Sequence, residues 1–190
     1  MKKFLSISLI VISLCSIFLF GFTTKVNAAS LGWEKRPISV YASTKLSSME
    51  VSQLKEAINA WNSTKFGTFF GYKGQITEAQ IATFPNIVSV SKGAFAPAED
   101  GDPSDALART SWPKEGYITK ATIVINTNYT FNNGSTSSGE YYLKSVLMHE
   151  LFHALGFKEH SIFSNSFFYK AYNGRTAFLN SDLEKLSILY

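Results

Sequence analysis

His149, Glu150, His153, Gly156 and His160 stand in one twelve-residue stretch, HELFHALGFKEH, and these are all the histidines the 190-residue chain contains. Histidines four apart on a helix lie one above the other, so His149 and His153 can present two imidazole nitrogens to one ion about 2.0–2.1 Å away. A third ligand must then come from outside the helix. Gly156 provides the route, because glycine takes up the left-handed conformation that ends a helix and turns the chain, bringing His160 back toward the same ion. Three neutral imidazoles leave a zinc ion one open position for water, the arrangement of a catalytic rather than a structural site, and such a water has its pKa drawn down toward about 7. Glu150, beside the first ligand, is placed to take the proton and pass it to a leaving amine. The chemistry this spacing implies is metal-assisted hydrolysis of an acyl bond, with a peptide bond as the natural candidate.

The elements that must position these residues are legible in outline. Leu143, Leu147, Leu151 and Leu155 recur at four-residue spacing and mark the buried face of the histidine-bearing helix, with Ser137 and Glu140 forming a capping-box pattern after the polar stretch 131–139. An earlier helix is predicted from a second such pattern, Ser47 with Glu50, followed by Val51, Leu54, Ile58 and Trp61 on one face. The C-terminal stretch NSDLEKLSILY repeats the grammar, with Ser181 as N-cap, Glu184 three residues on, and Leu183, Leu186 and Tyr190 on one side. Strands are predicted at 37–41, 67–74, 86–91, 106–110 and 121–126, with a less regular segment between the second and third. Four or five strands with three helices and no internal repeat give an α/β (α+β) fold in a single domain.

Residues 1–28 read as a secretory signal peptide: Lys2 and Lys3 precede an uncharged apolar run from Phe4 to Phe22, and Val26-Asn27-Ala28 forms the small-residue cleavage pattern. The competing reading is an uncleaved anchor, since the run is long enough to span a bilayer; a membrane partner is expected only in that case. Cleavage discards Lys2, Lys3 and Lys25 and lowers the formal charge from +4 to +1. A mature chain of 29–190 so close to neutrality gives no support for nucleic-acid binding, which needs clustered cations. It also carries no cysteine, Cys15 lying in the leader, so it must rest on its core without disulfides.

The full HExxHxxGxxH pattern of residues 149–160 resembles that of the metzincin metalloproteases, and within them the chain looks most like the matrixins. ALARTSWP (106–113) is similar to the family's edge strand, SFFYKAY (166–172) to the turn beneath the metal and one wall of the substrate pocket, and LNSDLEKLSILY (179–190) to its closing helix. The resemblance implies a metzincin-like single domain over 29–190 with a twisted four- to five-stranded sheet, an active-site helix and a C-terminal helix. It implies a secreted, extracellular zinc-dependent endopeptidase, expected as a monomer, with His149, His153 and His160 holding one catalytic zinc and Glu150 as general base. Its partner is a protein or peptide substrate paired by strand addition along a segment that includes Ala106 and Ala108, with Tyr172 as the wall tyrosine. The alternative is a secreted zinc-holding binding protein of the same fold without turnover.

The departures from the family pattern carry expectations of their own. Phe168 stands where the family's turn has a methionine, and Lys170 where it has a proline. Vertebrate-type members hold a second, structural zinc with histidines near the places taken here by Arg109 and Thr122, so no second zinc is expected. Asp100, Asp102 and Asp105 can coordinate calcium, yet a solvated acidic turn is the expectation. No pro-segment cysteine is available for latency, with only about eight residues between Ala29 and the first predicted strand.

Overall fold

A computed structural model describes residues 32–95, 106–112, 116–134 and 141–190. The leader at 1–28, the aspartates Asp100, Asp102 and Asp105, and the expected cap residues Ser137 and Glu140 lie outside the described residues.

Five strands form one sheet: β1 (Ile38–Ser43), β2 (Phe70–Ile76), β3 (Ile87–Gly93), β4 (Ala108–Ser111) and β5 (Lys120–Asn126), in the order β2-β1-β3-β5-β4. All neighbours are parallel except β4, which runs antiparallel to β5. An inner parallel strand is covered on both faces and reads as continuous burial, and Ile87 to Ser91 of β3 are all buried. The pairing of β1 with β2 skips Lys73 between Val40↔Tyr72 and Tyr41↔Gly74, and Gly74 at φ 118° supplies the backbone conformation that such a bulge demands. A second, minimal pair joins β6 (Phe131–Asn132) to β7 (Tyr141–Tyr142). The mixed α/β architecture is the one expected.

Helix α1 (Ser48–Asn62) starts on the predicted capping box: the Ser47 hydroxyl accepts from the Glu50 N–H at 3.3 Å while the Glu50 carboxylate accepts from the Ser47 N–H at 2.6 Å. The segment expected to be irregular between β2 and β3 contains a further helix, α2 (Glu78–Thr83), opened by the same device at Thr77 and Gln80. Helix α3 (Leu143–Ala154) carries the first two histidines. Its N-cap is Tyr142: Tyr141 and Tyr142 form β7, and the Tyr142 N–H donates to the Tyr172 hydroxyl at 2.8 Å. The C-terminal helix α4 (Asn180–Glu184), continued as a 3-10 turn over Lys185–Ile188, has Leu179 rather than Ser181 at its N-cap. The Asp182 carboxylate folds back to accept from the Leu179 N–H at 3.0 Å, which moves the start of the helix two residues earlier.

Helix α3 is buried on nearly every side, as a helix enclosed by sheet and helix must be. Trp61 of α1 holds it from one flank by donating Nε1–H to the Met148 carbonyl at 2.9 Å. An aromatic cluster completes the packing: the Phe152 ring lies 3.5 Å from that of Phe168 and 4.5 Å from that of Phe157, with Trp61 stacked 6.3 Å from Phe152. The helix end is closed from outside, Trp33 Nε1–H donating to the Ala154 carbonyl at 2.7 Å and the Tyr190 hydroxyl to the Leu155 carbonyl at 2.9 Å. These bonds satisfy carbonyls that a helix C-terminus otherwise leaves without a partner.

Candidate metal centre

The chain leaves α3 through Gly156, whose φ of 109° makes the expected turn while its N–H still donates to the His153 carbonyl at 2.9 Å. That turn returns His160 to the helix. The His153 Nε2 atom lies 3.0 Å from His149 Nε2 and 3.2 Å from His160 Nε2, and donor atoms of all three residues lie within 4.8 Å of one another.

Two main-chain oxygens set which nitrogen each ring presents. His153 Nδ1 lies 2.6 Å from the Phe157 carbonyl and His149 Nδ1 lies 3.3 Å from the Phe167 carbonyl. A carbonyl oxygen only accepts, so each Nδ1 carries the proton and each Nε2 is left with its lone pair. Two such lone pairs facing each other at 3.0 Å repel unless a cation sits between them. Donors each about 2.0–2.1 Å from a shared zinc ion can stand up to about 4.2 Å apart, so the 3.0 and 3.2 Å separations from His153 and the all-imidazole donor set fit that ion.

The protonation states agree with this. His149 is held down to about 3, first by burial and then by the neighbouring charges of His153 and His160, against the opposing pull of the Phe167 carbonyl. Burial also lowers His153, with the Phe157 carbonyl opposing. His160 falls to about 4 through burial, then through His153, Lys170 and Lys185. All three rings are neutral near pH 7, the form that binds a metal ion.

Glu150 is 7% exposed, and burial raises its carboxyl to about 7 in spite of a hydrogen bond from Thr110 that works the other way. The Thr110 hydroxyl, on β4, lies 2.5 Å from Glu150 Oε2 and 3.1 Å from the Glu150 main-chain oxygen. A buried carboxyl poised near neutrality, on the residue that follows His149, is able to exchange a proton with water.

Strand β4 is the sheet edge, with no strand beyond it among the described residues. The Asn126 N–H donates to the Leu107 carbonyl at 2.9 Å, and the register continues as Ala108↔Ile125, Arg109↔Val124 and Thr110↔Ile123. In an antiparallel ladder alternate residues turn both main-chain groups toward the partner strand. Leu107, Arg109 and Ser111 therefore face β5, while Ala108 and Thr110 turn their N–H and C=O groups to the open edge. Ala106 differs, because its carbonyl accepts from Asn126 Nδ2 at 2.9 Å. Tyr172 is 40% exposed, packs edge-on against Tyr141 and spends its hydroxyl on the Tyr142 N–H.

Phe168 is fully buried against Phe152 and Trp61, and the histidines meet other phenylalanine rings, Phe167 at 6.2 Å from His149 and Phe152 at 6.0 Å from His153. Of the places compared with a second metal site, Arg109 reaches over the Phe95 ring at 4.7 Å and the Thr122 hydroxyl lies 3.3 Å from that of Ser89. Sequence reasoning passed over Thr110 and the carbonyls of Phe157 and Phe167. The carbonyls carry no residue-type signal, and Thr110 had one only in its place on the predicted edge strand.

The sequence model of the matrixin family matches residues 33–190. No curated protein matches the chain.

Proposed function

Because this chain belongs to the matrixin family of metallopeptidases, we propose that it is a secreted zinc-dependent endopeptidase in which His149, His153 and His160 hold one catalytic zinc ion and Glu150 is the general base. The observation that carries this reading is the convergence of three neutral imidazoles, with a buried carboxyl group of raised pKa on the residue after the first of them. The leader pattern of residues 1–28 supports secretion.

When bound, zinc supplies a Lewis acid that polarises the scissile carbonyl and acidifies water. The chain's own residues do the rest. The Phe157 and Phe167 carbonyls hold the His153 and His149 rings in the tautomer that presents Nε2. Glu150 takes the proton of the attacking water at its carboxylate and returns it to the leaving amine, a transfer helped by a pKa close to the working pH. The open edge of β4 offers the main-chain groups of Ala108 and Thr110 to an extended substrate, which supports substrate docking by strand addition there. For Tyr172 the role in the pocket wall combines with its hydrogen bond to the start of α3.

The test compares the purified mature protein with Glu150→Ala on fluorescein-labelled casein and a peptide library, with zinc measured by mass spectrometry. The expected result is chelator-sensitive cleavage by the parent alone, with one zinc per chain in both proteins. Zinc retained at one per chain with no cleavage by either protein would establish the binding-protein alternative instead.

A further inference from the structure

We propose that Thr110 is a positioning residue of this centre, whose hydroxyl fixes the direction of the Glu150 carboxylate. The inference rests on the hydrolytic reading above, and it names a part of the machinery that the histidine motif does not contain.

Glu150 enters the site on a helix, with three side-chain torsions between its backbone and its carboxylate. Among the described residues, the Thr110 hydroxyl is the one hydrogen-bond donor that reaches that carboxylate, at 2.5 Å. The donor is itself well anchored. Thr110 lies in β4, paired with the fully buried Ile123 of β5, and a β-branched side chain has little freedom about its first torsion. The same hydroxyl lies 3.1 Å from the main-chain oxygen of Glu150, so it bridges the two ends of one residue.

A hydroxyl offers one donor and two acceptor lone pairs. Thr110 donates to Oε2, and the Glu150 main-chain oxygen is a second acceptor within reach of the same hydroxyl, so one side chain ties the carboxylate to its own backbone. Thr110 also turns its main-chain groups to the open edge of β4. The strand that would pair with substrate is thus tied directly to the base that serves it, which sets the base in register with the docked peptide.

The test uses Thr110→Val, which keeps the β-branched shape and removes the hydroxyl, and Thr110→Ser, which restores it. With a fluorogenic peptide taken from the casein and library screen, the expected result for Thr110→Val is a fall in kcat of about 10²-fold, the scale of a small misplacement at a reacting centre, with KM within about twofold. Zinc stoichiometry and thermal midpoint should match the parent, and Thr110→Ser should recover kcat to within a few-fold. Parent-like kcat in Thr110→Val, or a Thr110→Ser variant as slow as the valine, overturns the proposal. Crystal structures of the parent and Thr110→Val decide it even if the parent cleaves nothing, a result that would count against the hydrolytic reading alone. The Glu150 carboxylate should sit within hydrogen-bond distance of Thr110 in the parent and change rotamer in the variant, and an unchanged rotamer refutes the positioning role.

Discussion

Asp182 gives the sharpest test of how the centre is braced. It is 2% exposed, and its carboxylate collects three hydrogen bonds: from the Ser166 hydroxyl at 2.6 Å on one oxygen, and from the Phe167 and Leu179 N–H groups, both at 3.0 Å, on the other. Asp182→Ala leaves the Phe167 N–H buried without an acceptor and the Leu179 N–H partly so, each costing about 1–3 kcal/mol, and opens a small void. The expected loss is about 3–5 kcal/mol. Asp182→Asn is milder. Its amide oxygen can take the place that serves both N–H groups while its amide nitrogen donates to the Ser166 hydroxyl, so the losses are the charge assistance and the acceptor of the Ser166 O–H, at about 1–3 kcal/mol together.

Urea unfolding of the metal-free variants, followed by tryptophan fluorescence, measures both losses against the parent; at this size each kcal/mol moves the thermal midpoint by about 2–4 °C. The effect should reach the histidines, because the residue whose N–H Asp182 holds is the residue whose carbonyl faces His149 Nδ1. Zinc affinity in Asp182→Ala should fall about 10- to 100-fold, as when a partner that orients a ligand is removed, and change little in Asp182→Asn. Equal losses in the two variants, or a loss under about 1 kcal/mol in Asp182→Ala, would refute the account of Asp182 as a three-way acceptor.

Two further outcomes follow from the packing. Glu50 is buried, which pushes its carboxyl up, but the Lys92 ammonium at 2.9 Å and the hydrogen bonds from Ser47 prevail and hold it below its ordinary value of 4.5. A carboxyl lowered on folding contributes stability that is complete above the unfolded pKa and lost as pH falls through the folded one. Lys92→Met should therefore cost about 1–3 kcal/mol at pH 7, with the gap from the parent closing below about pH 4.5; a gap that stays constant down to pH 3 in urea titrations contradicts this. Phe168→Ala should cost about 3–5 kcal/mol by emptying the stack on Phe152, whereas Phe168→Met, which refills it with a flexible thioether, should cost under about 1.5 kcal/mol in the same assay.

The parts of this fold that were legible in the sequence are those fixed within a few residues. The Ser47–Glu50 box, the apolar face from Val51 to Trp61, the turn at Gly156 and the three histidines all act over one or two helical turns. The Thr77–Gln80 box was equally local, but a six-residue helix with Ile81 as its one buried residue has no apolar stripe to announce it. Other features depend on distant partners. The start of α3 is held by a tyrosine hydroxyl thirty residues away, and the Glu150 carboxylate is met by the Thr110 hydroxyl forty residues upstream. The donor set of the centre is written in residue types, while its aim is written in main-chain oxygens at Phe157 and Phe167. A chain could keep every histidine and still lose the site if the path from Gly156 to Phe168 moved those two carbonyls, because each ring would then be free to present either nitrogen. The spacing of His149, His153 and His160 reveals the candidate ligands, while the carbonyls of Phe157 and Phe167 set which nitrogen two of them present.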